Sequence, residues 1–164
     1  MLKTPLTILG LNPGSKYLGI AVFEGADLRY WAIKVLNGDR SNKKKEKAKK
    51  ILSDIIDRYE VNVLAIKKLH PSRSSKILDR LVTSFKDFSK KKRLKVREYS
   101  LKILKDYFSP CSKTNKKRMA ELIVAQYPFL DSLLKKEKRN KNPYFVRMFE
   151  AIALGIVCVS QLNH

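Results

Sequence analysis

Acidic residues are scarce in this chain: 15 Asp and Glu stand against 36 Lys and Arg, a formal net charge of +21. Self-repulsion on that scale works against a compact state unless a polyanion relieves it. Phosphate backbones are the commonest such partner, because each neutralised phosphate releases condensed counterions. An acidic membrane surface is the rival, but the basic residues are spread along the whole chain and not confined to one amphipathic helix. Cysteine and histidine are scarcer still, with two of each. Cys111 and Cys158 make no disulfide framework, and Cys158, inside an apolar run, reads as a small core residue. With only His70 and His164 beside them, no zinc site is expected. Long apolar runs are missing too. The stretch from Ala151 to Val159 is far shorter than the roughly 20 residues that span a bilayer. The opening MLKTPLTILGLN has no long apolar core and no small-residue cleavage site, so no signal peptide is expected and the expected compartment is cytoplasmic. There are no internal repeats, and 164 residues suit a single domain, 1–164.

What is present is a readable order of elements. Leu6 to Leu11 reads as a strand, stopped at Asn12-Pro13-Gly14-Ser15, where Pro and Gly suit the middle of a turn. Tyr17 to Glu24 and Leu28 to Leu36 follow as strands on short connections, which implies an antiparallel meander. The period then changes: Ala48, Ile51, Leu52, Ile55 and Ile56 recur at helical spacing between Ser41 and Tyr59. Val61 to Ile66 is nearly continuously apolar, the mark of a strand covered on both faces. Strand, helix, strand makes a crossover, so this fourth strand is expected parallel to the first. A helix from about Ser74 to Lys90 precedes a fifth strand, Leu94 to Tyr99. Ser100 caps a short helix, Asn115 to Tyr127 forms another that Pro128 stops, and Lys135 to Lys141 reads as a mobile basic loop. The last helix starts near Asn142-Pro143 and runs to about Leu162.

This order, βββαβαβ with a closing helix, resembles the RNase H-like fold: an α/β domain with a five-stranded mixed sheet, three antiparallel strands then parallel ones, flanked by helices. Within it, ILGLNPGSKYLGIAVFEG resembles the first hairpin of the RuvC-type Holliday junction resolvases, which read Ile-Asp-Pro-Gly-Ser with a Gly soon after. VNVLAIKK sits where that family has a strand ending in Ala-Ile-Glu, and FEAIALGI resembles its final helix. The resemblance covers nearly the whole chain. It implies four carboxylates converging on Mg²⁺ ions that activate water for phosphodiester hydrolysis. Carried over residue by residue, those positions are Asn12, Lys67, Arg147 and Glu150, and only Glu150 is an acid. Together they carry a formal +1 where four carboxylates would carry −4. One like-charge encounter at about 4 Å costs about 4 kcal/mol at an effective dielectric near 20, so two-metal hydrolysis is not expected and no metal or other cofactor is assigned. Lys67 can instead stand where an ion stood, paired with Glu150.

Each piece also has a purely structural reading. Asn12-Pro13-Gly14 is a competent hairpin turn, Arg147 and Glu150 make an i, i+3 helix pair, and Lys67-Lys68 makes a solvated strand end. For nucleic-acid binding the candidates are Lys16, Lys67, Lys68, Arg73, Lys116, Lys117 and Arg118. Asn115 to Arg118 opens the penultimate helix, where N–H groups and three cations suit a phosphate, and the resemblance places a DNA-contacting lysine near Lys116. Lys68, His70, Arg73 and Lys76 follow the fourth strand, where the resemblance places a loop near the junction. The expectation is a catalytically silent RuvC-like protein that binds branched or structured DNA, as a homodimer or as a subunit of a nucleoprotein complex. Two alternatives stand beside it. One is an active Mg-dependent junction endonuclease with a metal site rebuilt from acids such as Glu24 or Asp39. The other is an RNA- or ribosome-associated protein that kept the fold and the charge.

Overall fold

The structure is a computed structural model in which residues 5–36, 41–73, 75–139 and 145–162 are described, the side chains of residues 41, 42 and 73 excepted. The first three strands are β1 (Thr7–Asn12), β2 (Tyr17–Glu24) and β3 (Asp27–Val35), followed by helix α1 (Ser41–Tyr59) and strand β4 (Val63–Lys67). A short 3₁₀ turn, Pro71–Arg73, leads into α2 (Lys76–Lys91), strand β5 (Lys95–Tyr99) and α3 (Leu101–Phe108). Then come α4 (Lys116–Gln126), a 3₁₀ turn at Pro128–Leu130, α5 (Asp131–Arg139) and α6 (Val146–Leu162). The five strands lie in the order β3-β2-β1-β4-β5. β1 pairs antiparallel with β2, which pairs antiparallel with β3, while β1–β4 and β4–β5 are parallel. The expected meander, crossover and mixed sheet are all present.

The period-2 alternation of side chains explains the two-sided burial of the central strands. Along β1 and β4, Ile8, Val63 and Ala65 face a core shared with α3 to α6. Leu9, Leu11, Leu64 and Ile66 face the other core, closed by α1 and α2. Strands buried on both faces read as continuous apolar runs, as VLAI does in β4. Helix α6 is the most deeply set helix, buried at every residue from Met148 to Cys158. It lies so near the sheet that a Cβ at Gly19 would fall on the carbonyl of Arg147. Glycine at that β2 position is therefore what brings the start of α6 down onto the sheet.

One boundary differs from the sequence reading. Lys135 to Arg139, expected in a mobile loop, are helical in α5. The reason is local: Leu130 and Leu134 are buried in the core, Asp131 sits in the first turn, and Lys136, Lys138 and Arg139 sit in the last, matching the helix dipole. Asp131 also pairs with Lys135 across one turn at 2.9 Å. Residues 140 and 141 lie outside the described set, as do Asn142-Pro143, the expected start of the last helix, and Ser74, the expected start of α2. The cap of α2 is Ser75, whose Oγ accepts from the Leu78 N–H at 3.1 Å. No helix among the described residues is long and apolar enough to cross a membrane.

Candidate functional site

Parallel strands β1 and β4 run side by side with Leu11 opposite Ile66, so their carboxyl ends place Asn12 and Lys67 next to one another. Ligands of open α/β sheets gather at such ends. Helix α6 lies across them and carries Arg147 and Glu150, three residues apart and so on one helical face. A fourth element also reaches this point. Asn115 caps α4, its Oδ1 accepting from the Arg118 N–H at 2.8 Å, and so fixes the first helical residue, Lys116, beside the same spot.

These side chains converge on one carboxylate. Lys67 Nζ lies 2.7 Å from Glu150 Oε2, and Lys116 Nζ lies 2.7 Å from Glu150 Oε1. Asn12 Nδ2 donates to Glu150 Oε2 at 2.7 Å and to the Arg147 carbonyl at 3.2 Å. The Glu150 side chain is 3% exposed, against 18% for Lys67 and 35% for Lys116, so the acid lies beneath its two cations. The Arg147 guanidinium packs over Gly14, in space that a side chain there would fill. Burial alone would push the Glu150 carboxyl up, but Lys67 and Lys116 outweigh it and hold the group below its ordinary value. Burial also lowers the Lys67 ammonium; Glu150 opposes that shift, while Lys116 and Arg147 add to it.

The donor set does not fit a divalent metal. Mg²⁺ takes hard oxygen ligands in an octahedral shell. Here both oxygens of the one carboxylate hold ammonium groups, and Asn12 turns its amide N–H toward the same acid. Three cations against one carboxylate leave a surplus of two positive charges. Among the described residues, no three His, Cys, Asp or Glu gather anywhere as a metal-binding group.

The remaining expected residues are placed as follows. Lys16 is exposed in the turn between β1 and β2, and Lys68 is exposed just after β4. Lys117 and Arg118 are exposed on the first turn of α4, with Arg118 3.3 Å from Glu121. His70 and Lys76 are exposed, the His70 ring lying 2.6 Å from Ser72 Oγ. Arg73 belongs to the 3₁₀ turn after β4, and its side chain is outside the described set. Of the acids proposed for a rebuilt metal site, Glu24 is at the wrong end of the sheet. It pairs in register with Thr7, five residues along β1 from Asn12, which is roughly 17 Å of strand, and it bonds Arg29 at 3.4 Å. Asp39 lies outside the described residues. The pairing of Lys116 with Glu150 had no signal in the sequence, since no fixed spacing links the start of α4 to α6.

No protein-family model and no curated protein matches the chain. Solved structures do. RuvC of Thermus thermophilus in complex with a Holliday junction substrate superposes with a TM-score of 0.69 at 13% identity, over 96% of each chain. A second Thermus thermophilus RuvC structure gives 0.70 at 14% identity, over 96% of this chain and 97% of that one. The yeast mitochondrial Holliday junction resolvase Ydc2 gives 0.67 at 12% identity, over 100% of this chain and 83% of that one. The chain therefore has an RNase H-like fold. More narrowly, that fold is RuvC-like from end to end, as the resemblance in the hairpin, fourth strand and final helix implied.

Proposed function

We propose that this protein binds branched DNA through the basic end of its RuvC-like fold and does not cleave it by divalent-metal hydrolysis. One observation carries the second half: both oxygens of Glu150, the sole acid among the four positions, are taken by lysine ammonium groups. A metal would have to displace two ammonium ions from a buried carboxylate and then sit among three positive charges. The first half is supported by the net charge of +21 and by the likeness to a resolvase in complex with a Holliday junction substrate. Lys16, Lys68, Lys117 and Arg118, exposed around the same end, supply the outer contacts in this reading.

The test is binding of the full chain to a labelled four-way junction, a linear duplex and a structured RNA across a salt series. The junction is expected to bind tightest. Affinity is expected to fall steeply with salt, each phosphate contact adding about 0.9 to the log–log slope on duplex DNA. A flat salt response would remove the basic surface from the account, and tightest binding to the RNA would replace the DNA reading.

A further inference from the structure

The centre beneath α6 is unbalanced, and its surplus points outward. Glu150 is buried while the Lys67 and Lys116 side chains are 18% and 35% exposed, so both lysines contact the acid and keep part of their side-chain surface toward solvent. An ammonium has three N–H donors; Lys67 gives one to Glu150 Oε2, and Lys116 lies in ion-pair contact with Oε1. The Arg147 guanidinium, lying over Gly14, has no acidic partner among the described residues. Asn12 adds no charge; it holds Glu150 from below and ties it to the start of α6 through the Arg147 carbonyl.

Two lysines held by one buried carboxylate, with a nearby guanidinium unpaired among the described residues, make a site that an anion completes and a cation does not. We infer that Lys67, Lys116 and Arg147 form a metal-independent seat for a single DNA backbone phosphodiester, with Glu150 as the buried anchor that keeps the two lysines in place. The inference rests on the DNA binding proposed above. A phosphodiester carries one negative charge and four oxygens, which suits one guanidinium fork and two ammonium groups. The three cations stay close together without the anion only because Glu150 lies under two of them; Lys116 and Arg147 already weaken the proton's hold on Lys67. Divalent cations should act here as competitors, shielding the DNA, and never as a requirement.

The experiment uses Arg147→Gln, because Arg147 has no acid to leave unpaired, with Lys90→Gln at the far end of α2 as control. Binding of a fluorescent four-way junction is measured in EDTA and again in millimolar Mg²⁺, over a salt series. The seat predicts full binding in EDTA, weaker binding in Mg²⁺, and about a tenfold loss for Arg147→Gln with the salt slope reduced by about one. Lys90→Gln should leave both nearly unchanged. In parallel, side-chain nitrogen NMR of Lys67 and Arg147 is followed while dimethyl phosphate is added; saturable shifts are expected in the parent protein and their loss in Arg147→Gln. Normal junction binding with an unchanged slope in Arg147→Gln and no dimethyl phosphate shift would overturn the seat and leave the DNA-binding reading standing. Dimethyl phosphate shifts without binding to any DNA would end the DNA-binding reading and with it the assignment of the seat to DNA, leaving only an anion site. Binding that appears only with Mg²⁺ would overturn the metal-independent seat outright.

Discussion

Asn12 and Glu150 are 138 residues apart in the chain and meet at 2.7 Å, the asparagine amide donating to the buried carboxylate. An acid at position 12 would repel Glu150 unless a cation lay between them. A neutral amide instead gives a hydrogen bond, and Lys67 shares the same carboxylate oxygen. The hub is therefore self-contained: β1, β4, α4 and α6 are joined at one carboxylate. That has consequences for stability.

Glu150→Gln should destabilise the fold by about 3 kcal/mol, the lower end of the range for breaking a buried ion pair, since Lys116 is partly exposed. Two ammonium groups would lose their counter-charge in one step. Urea denaturation of the parent and the variant measures this directly. A variant as stable as the parent would show that Glu150 is not the joint.

The same carboxylate sets a pH dependence. Its folded-state pKa is held below the ordinary 4.5 by Lys67 and Lys116, so its stabilising contribution is fully present above pH 4.5. That contribution is lost as pH falls through the depressed folded value. The stability gap between the parent and Glu150→Gln should accordingly be constant from pH 5 to neutrality and shrink below about pH 4. A gap that grows on acidification would contradict the pairing.

Neighbouring lysines on α4 should behave differently. Lys116→Ala is expected to lower the melting temperature because it removes one arm of the Glu150 pair. Lys117→Ala, at an exposed position, should leave stability within about 0.5 kcal/mol and lower the salt slope of DNA binding. Equal effects of the two on stability would place Lys116 on the surface with its neighbour.

Gly19→Ala should cost about 1–3 kcal/mol by overpacking, because its new methyl group would fall on the Arg147 carbonyl and lift the start of α6 off β2. Thermal denaturation reads the loss. Weakened DNA binding in the surviving folded protein would follow from the displaced Arg147.

The elements legible in the sequence were those with strong periodicity. The two-sided apolar run of β4, the turn at Asn12-Pro13-Gly14 and the spacing of Ile51, Leu52, Ile55 and Ile56 in α1 each point one way, and the structure follows them. Helix α5 was not legible, because its lysine-rich second half hides how little apolar anchoring it needs: Leu134, packed in the core beside Leu130 of the preceding turn, with Asp131 in its first turn. At the site, the chain positions of Asn12, Lys67, Arg147 and Glu150 came from motif order along β1, β4 and α6, as did the pairing of Lys67 with Glu150. The second lysine did not. Lys116 looks in sequence like one more solvated cation at a helix start, and only the packing of α4 against α6 brings it to Glu150.

The most direct measurement of the central claim is incubation of a labelled four-way junction with the unmodified protein and Mg²⁺, alongside the combined variant Asn12→Asp, Lys67→Glu and Arg147→Asp. The account predicts that the unmodified protein retains the junction intact, since nothing at the strand ends can hold two divalent metal ions or lower the pKa of a bound water. Any cleavage by the combined variant would show that the backbone still positions a nuclease centre once acids return. Efficient Mg²⁺-dependent cutting by the unmodified protein would contradict the account.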